Sequence, residues 1–575
     1  MVPYRWEHEA CDEAAAGELG RAAGVEPAVA RLLILRGVTD ADAAGRFLHP
    51  SLDHLHDPMR LAGMREAVDR LLKAVASGER VAVHGDYDVD GITATIILRR
   101  TLEMLGGEVV HFVPDRIRDG YGLNTPAIER LHAEGAGVVV SVDCGIRGAE
   151  AARRAKELGV DLIITDHHEP DEELPPALAV VNPKRRDCTY PDKNLAGVGV
   201  ALKLVQALTA RAGRSAWLPA FVKIAAIGTL ADVVPLVGEN RVIAKLGLEG
   251  LSTGPHKAGL RALIESAGLA GKPIDSYHVT FMLAPRVNAA GRMSSPDIAL
   301  RLLLAADDDM MAEARELAAQ LNAENERRQQ EERSILAEAR KAVEHDPDVG
   351  ARAALVVAGE GWHRGVIGIV ASRLVDAFHR PAVVISIDGD TAHGSCRSIP
   401  AFDMLEALTA CSAHLDQFGG HRAAAGLTIS RSRIRAFRED LTRWADDRLG
   451  PDDLRPRLRI DGELGFRQIT PRLYDGLSQL APFGAGNPKP MFWTRSAQLA
   501  DGPRRIKERH LSMSLRHGGV ALRGIFWRAA ERAADIAAAR DGLDVAYTIE
   551  RNTFNGHTSL EVALADARAT GGDPR

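Results

Sequence analysis

From residue 80 to about 240, short runs of apolar, mostly β-branched residues alternate with longer stretches of helical period. The runs VAVHG (81–85), EVVHFV (108–113), VVVSVD (138–143) and LIITDH (162–167) are short and almost continuously apolar, which predicts strands buried on both faces. Between them, ITATIILRRTLEMLG (92–106) and GAEAARRAKELG (148–159) predict helices. That alternation implies a parallel sheet covered by helices on both faces. Ligands of such sheets gather at the carboxyl ends of the strands. The polar clusters fall there: His84 to Asp90 after the first run, Asp143 after the third, and Asp166, His167 and His168 after the fourth.

The pattern changes along the rest of the chain. Residues 1–75 read as short helices, and 310–345 as one long, charge-laced connecting helix. A second, smaller α/β stretch carries the strands ALVVAG (354–359) and AVVISI (382–387). From about 456 the period drops to two in several short runs, predicting a small β-barrel. The expected division is a helical N-terminal segment (1–75), a first α/β domain (76–250), a helical connector (251–350), a smaller α/β domain (351–450) and a barrel (455–570).

Composition narrows this little. At 575 residues the chain is long enough for several domains, and 46% hydrophobic with 26% charged residues is ordinary for globular proteins. A net charge of -6 gives no global basic signature, yet a local basic groove can sit on an acidic protein. The five cysteines form no C-x-x-C pair, which argues against a zinc finger or a disulfide framework and suits a reducing cytoplasm. The N-terminus has no signal-peptide pattern and there is no apolar run of about 18 residues, so neither export nor a membrane span is expected.

The chemistry is concentrated in the acidic clusters. Asp86, Asp88, Asp90 and Gly91 mimic the start of a calcium loop of the EF-hand type. However, the twelfth position is Ile97 and the preceding element is a strand, so that reading fails. One aspartate there could cap a helix, but three beside His84 repel one another unless cations sit among them. Asp143 is open between two roles, capping a helix from Arg147 onward or binding metal. Imidazole and carboxylate together, as in Asp166, His167 and His168, suit Mn or Zn. Asp232, after the apolar FVKIAAIG (221–228), reads alone as a cap and gains weight only from the set.

The order HGDYDVDG (84–91), VDCG (142–145), TDHH (165–168) and ADVVPL (231–236) resembles the DHH family of metal phosphoesterases. GSCRSI (394–399) and GGHRAAAG (419–426) resemble its associated second lobe, although Cys396 is often a smaller residue in relatives. APRVNAAGRM (284–293), GWHRGVIGIVASRL (361–374) and PFGAGNPKPMF (482–492) are similar to its single-stranded-DNA exonuclease branch. The fold this resemblance implies is α/β: a parallel-sheet DHH catalytic domain, a long connecting helix, a smaller α/β DHH-associated domain and a C-terminal OB-like β-barrel. The implied activity is 5′-to-3′ degradation of single-stranded DNA to 5′-mononucleotides by two-metal-ion hydrolysis, in DNA repair and recombination.

By the same resemblance the cofactors are two Mn²⁺ ions, with Mg²⁺ as the alternative. His84 and Asp88 would hold one ion, Asp90, His167 and Asp232 the other, and Asp143 would bridge them. Asp86 and His168 would support the site or contact phosphate. Arg116, Arg286, Ser395 and Arg397 would recognise the 5′ phosphate, with Gly419, Gly420 and His421 allowing close approach of the substrate. In the barrel, the basic run Arg504, Arg505, Lys507 and Arg509 would track the strand, with Phe526, Trp527, Tyr547 and Phe554 divided between stacking and core. The expected partners are single-stranded DNA with a 5′ end, a single-strand-binding protein and a helicase, with no membrane, for a monomer in the cytoplasm. Alternatives are a phosphodiesterase for short oligonucleotides or cyclic dinucleotides, a non-catalytic replication scaffold, and a pyrophosphatase. The terminal barrel counts against the first and third, and the full ligand set against the second.

Overall fold

The computed structural model describes residues 4–115, 120, 122–345, 351–539, 541–554 and 556–571. It forms two units, each discontinuous in sequence: Cys11–Asn325 with Thr470–Pro490, and Met1–Ala10 with Glu326–Ile469 and Met491–Arg575.

The first unit is built on β1 (Val81–Gly85), β2 (Val109–Phe112), β3 (Val138–Val142), β4 (Asp161–Thr165) and β5 (Ala179–Val181). All neighbours are parallel, in the order β2-β1-β3-β4-β5. Alternate residues feed opposite cores, as the pleat requires. Val81, Val83, Val138 and Val140 pack with Leu202 and Leu204 on one face. Ala82, Val139, Leu162 and Ile164 pack with Ile128, Leu131 and Ala151 on the other. With both faces buried, polar positions vanish and the strands read as unbroken apolar runs. β5 has only three residues and shows no period, which is why the sequence does not announce it.

Helices α1 (Val89–Met104) and α2 (Gly197–Arg211) pack on the sheet, and α3 (Leu218–Ala231) packs on both of them. A further, all-helical core joins Ile92 and Ile96 of α1 to Ile227 and Leu230 of α3 and to residues from Ala258 to Leu321. Within it, a π-helical turn (Val279–Leu283) leads into α4 (Ala284–Met293). Pro285 lacks an N–H and crowds the carbonyl four residues back, and the wider turn relieves that clash. The long helix, α5, spans Met311–His345.

The second unit holds a five-stranded sheet of β6 (Leu355–Glu360), β7 (Ala382–Asp388), β8 (Thr391–Arg397), β9 (Gln417–Gly420) and β10 (Ala424–Ser430), in the order β9-β10-β8-β7-β6. Here only the β6–β7 pair is parallel. Helix α6 (Ile367–Phe378) packs on it. The barrel comprises β11 (Phe492–Ile506), β12 (His510–His517), β13 (Val520–Phe526), β14 (Leu543–Phe554) and β15 (His557–Ala569), and β11–β14 pairing closes it. β11 has no clean alternation in the sequence because two register shifts, at Leu499/Asp501 and Asp501/Arg504, break its period. The N-terminal segment is not wholly helical as expected: Arg5–His8 is a strand pairing in parallel with Arg457–Ile460. Among the described residues, no helix is long and apolar enough to cross a membrane.

Candidate metal centre

The chain enters the sheet at β1, moves to β2 on one side and then crosses to β3 on the other. The topological switch therefore opens a crevice at the carboxyl ends of β1 and β3. His84 sits at the end of β1, Asp143 directly follows β3, and Asp166, His167 and His168 follow β4. Asp88 is the cap of α1, accepting from the amides of Asp90 (3.0 Å) and Gly91 (3.1 Å). Asp232 terminates α3.

These side chains converge. Asp90, His167 and Asp232 form one group able to hold a metal ion, Asp86, Asp88 and Asp143 a second, and Asp143, His167 and His168 a third that overlaps both. His167 Nε2 lies 3.2 Å from Asp143 Oδ1, 3.7 Å from Asp232 Oδ2 and 3.9 Å from Asp90 Oδ2. Yet His167 Nε2 and Asp143 Oδ1 make no hydrogen bond, and neither does the fully buried His84 Nε2. Three buried, unpartnered ligand atoms around one crevice are costly unless a cation satisfies them.

The electrostatics agree. Burial lowers His84 and His167 to about 4, so both are neutral imidazoles with a lone pair to give. Burial, then Asp232 and Asp88, pushes the Asp90 carboxyl well above its usual range. Burial, then Asp90, does the same to Asp143. Burial and Asp88 raise Asp232 to about 7. Such mutual repulsion is relieved by divalent charge, so the donor set fits two metal ions.

The surrounding residues explain the geometry. Asp143 has a left-handed φ of 61°. It does not cap the following helix, which begins at Ala149; the amide of Ile146 donates instead to Asp166 (2.9 Å). Asp166 also accepts from the amides of His167 (2.7 Å) and His168 (3.1 Å) and from His168 Nδ1 (2.7 Å). Burial alone would raise Asp166, but the His168 hydrogen bond holds it below the usual range, and the same bond outweighs burial to raise His168. The amides at the start of α2 fix Asp90: Gly197 donates to Oδ2 (2.7 Å) and Val198 to Oδ1 (2.8 Å). A Cβ at Gly197 would overlap Asp143 Oδ1. Cys144 Sγ lies 3.5 Å from His84 Nδ1. Asn288 of α4 accepts from the amide of Val89 (3.1 Å), buttressing the acidic loop. Asp166, Cys144 and Asn288 lie in stretches that the sequence singles out. Gly197 and Val198 do not, because a backbone amide carries no side-chain signature.

The remaining candidate residues lie elsewhere. Arg286 donates through Nε to Asn322 (3.1 Å) and through Nη1 to the carbonyl of Met282 (2.6 Å). In the second unit, Gly419 pairs with Gly426 and Gly426 with Ser395 across β9-β10-β8. Arg397 Nη1 donates to Ser395 Oγ (3.3 Å) and to the carbonyl of Cys396 (2.8 Å). Gly420 has a φ of 145° that a side chain would strain, and the amide of His421 donates to Ala424 (2.8 Å). In the barrel, Arg504 and Arg505 end β11, Lys507 and Arg509 lie in the turn to β12, and Arg504 pairs with Asp501 (2.8 Å). Phe526 and Tyr547 are core, while Trp527 is exposed against His510. Arg116 lies outside the described residues.

The chain matches the DHH family N-terminal domain over residues 80–229, the DHHA1 domain over 351–447 and the RecJ OB domain over 460–566. It is 41% identical to the single-stranded-DNA-specific exonuclease RecJ of Bacillus subtilis over 518 residues, 89% of this chain but 64% of that protein. To the Escherichia coli exonuclease of the same name it is 34% identical, covering 94% of this chain and 96% of that one. The crystal structure of RecJ with Mn²⁺ from Thermus thermophilus superposes with a TM-score of 0.83 at 34% identity, covering 98% of this chain and 79% of that one. With three matched domains in sequence order and similarity running nearly end to end, the chain belongs to the RecJ family of single-stranded-DNA-specific exonucleases, metal-dependent phosphodiester hydrolases of the DHH class.

Proposed function

We propose that this chain degrades single-stranded DNA from its 5′ end to 5′-mononucleotides. The observation that carries the reading is the set of buried ligand atoms, His84 Nε2, Asp143 Oδ1 and His167 Nε2, that lack hydrogen-bond partners at the switch point of the sheet. His84 and Asp88 would hold one Mn²⁺ or Mg²⁺ ion, Asp90, His167 and Asp232 the second, and Asp143 would bridge them. When bound, the pair of cations supplies Lewis-acid neutralisation of the scissile phosphate and lowers the pKa of water in the crevice.

The protein's own part is positioning. The two α2 amides bind Asp90 and leave one lone pair on each of its oxygens for metal. Asp88 is held by its role as helix cap, and Asp86 accepts from the amide of Tyr87 (2.8 Å) and lines the same loop. Asp166 orients the His168 imidazole and favours its protonated form, and a protonated His168 can offer a charge-assisted hydrogen bond to a phosphate oxygen. Arg286, Ser395, Arg397 and Arg116 are assigned to phosphate recognition, Gly419, Gly420 and His421 to close approach of the strand, and Arg504, Arg505, Lys507 and Arg509 to backbone tracking at the barrel. Action as a cytoplasmic monomer in DNA repair and recombination, with a single-strand-binding protein and a helicase, completes the reading.

The test uses Mn²⁺ and linear single-stranded DNA with a 5′ phosphate, labelled separately at each end. Mononucleotides should leave from the 5′ label first, and circular DNA should resist. Digestion of strands whose 5′ ends are blocked would overturn the polarity. Asp232→Ala should abolish turnover while retaining DNA binding, and an active variant would remove Asp232 from the centre.

A further inference from the structure

Asp90 and Asp232 come from segments far apart in the chain, and their charges repel across the crevice. Their separation must therefore be set by other groups before a cation arrives. One buried amide bonds to the segments that fix both.

Asn240, in the first turn of the helix Gly238–Thr253, is fully buried. Its Nδ2 donates to the carbonyls of Asn194 (2.5 Å) and Pro235 (3.1 Å), and its Oδ1 accepts from the amide of Ala196 (3.4 Å). Asn194 and Ala196 lead into α2, whose first two amides, of Gly197 and Val198, grip Asp90. Pro235 belongs to the turn that leaves Asp232 at the end of α3. A planar amide suits this junction because it carries two donors and an acceptor on one rigid group. Asp192 joins the same loop to the same helix, accepting from the amides of Asn194 (2.9 Å) and Glu239 (2.8 Å), so the helix stays docked without Asn240. What Asn240 adds is the reach to Pro235.

The turn it reaches is strained. Val233, adjacent to Asp232, has a left-handed φ of 61°, in which a β-branched side chain crowds its own backbone, and it is 61% exposed. A glycine there would relieve the strain and sacrifice little packing, so stability does not account for the turn. Such strain persists only where the surroundings over-determine it. Here they include the Asn240 bond to Pro235 and the carbonyl of Ala485, which accepts from the amide of Leu236 (2.8 Å).

Resting on the two-ion reading above, we propose that Asn240 is a positioning residue for the ion held by Asp90, His167 and Asp232. Its amide sets the distance between the two carboxylates through the strained turn at Val233. The ion held by His84 and Asp88 does not depend on it, because Asp88 is fixed as the cap of α1 and His84 by β1. Positioning, unlike a general structural role, is thus selective for one ion of the two.

The experiment titrates Mn²⁺ into the chelator-stripped full chain, counts free ion by electron paramagnetic resonance, and follows the melting temperature of the metal-free protein. Wild type should bind two ions. Asn240→Ser should hold one ion within about threefold of its wild-type affinity and weaken the other by about 10- to 100-fold. Adding His84→Ala should abolish the tight binding that remains. Val233→Gly should raise the metal-free melting temperature by about 1–3 °C and yet weaken the same ion by about 3- to 10-fold. Those opposite signs are the mark of positioning, since a merely structural defect lowers both. Equal weakening of the two ions in Asn240→Ser, or none, would overturn the assignment. Should Asn240→Ser fail to fold, Val233→Gly decides, and unchanged Mn²⁺ binding in that variant would overturn it equally. A wild-type chain that binds fewer than two ions would instead overturn the two-ion reading.

Discussion

Asp143 is the residue on which the crevice turns. The sequence alone leaves it evenly open between a helix cap and a metal ligand. Three dimensions resolve its place: its φ is left-handed, the following helix starts at Ala149 with Gly148 at its cap and no side-chain cap bond, and its Oδ1 faces His167 without a hydrogen bond. None of this has a local signature, because Gly197, which makes room for Asp143, lies more than fifty residues away in sequence. That crowding has two measurable consequences. Gly197→Ala should press on Oδ1 and weaken Mn²⁺ binding by about 10- to 100-fold, measured as a shift in the Mn²⁺ concentration for half-maximal activity. Asp143→Asn removes one of the mutually repelling carboxylates, so metal-free protein should melt at a higher temperature than wild type. The same variant should lose most of the thermal stabilisation that saturating Mn²⁺ gives, which for wild type is about 2.7 kcal/mol at a hundredfold excess over Kd. A wild-type-sized Mn²⁺ shift in Asp143→Asn would show that the bridging assignment is wrong.

At the level of elements, the parallel sheet is readable because two buried faces leave a plain signal of apolar runs ending in polar clusters. Features held together by distant partners are not readable. Lys203 of α2 is fully buried; it donates to Glu239 (2.8 Å) and to the carbonyl of His56 (2.6 Å), and Tyr190 donates to the same carboxylate (2.5 Å). In sequence Lys203 is merely the one charged residue of GVGVALKLVQAL. The structure shows it fastening the N-terminal segment at His56 to α2 and to the helix that carries Glu239. Burial lowers its pKa, so the ion pair gains less than its Coulomb energy, but breaking it strands a buried carboxylate. Lys203→Met should therefore destabilise the protein by about 3–5 kcal/mol in chemical denaturation. The double variant Lys203→Met with Glu239→Leu should recover part of that loss, since the unpaired charge is then gone.

At the scale of the whole molecule, the sequence suggests domains arranged as consecutive blocks, whereas the two units interleave along the chain. The clearest case is the PFGAGNP stretch. Although it precedes a barrel strand, it belongs to the unit that holds the acidic crevice. Arg241, almost fully buried, donates to the carbonyls of Leu480 (2.9 Å), Gln479 (3.3 Å) and Ala481 (3.1 Å), and Asn487 accepts from Arg36 Nε (2.5 Å). These partners are separated by 238 to 451 residues, so no window of sequence can reveal them. A fragment ending at residue 345 keeps every expected metal ligand but leaves the Arg241 guanidinium short of three acceptors and Leu236 without Ala485. An unsatisfied buried group costs about 1–3 kcal/mol, more when charged, and several are created at once. The fragment should therefore be poorly soluble or melt well below the full chain, and bind Mn²⁺ weakly. Asn487→Ala in the full chain should move both properties in the same direction by a smaller amount. A fragment 1–345 that binds Mn²⁺ as tightly as the intact protein, with an equal melting temperature, would show that the crevice is complete without the returning segment.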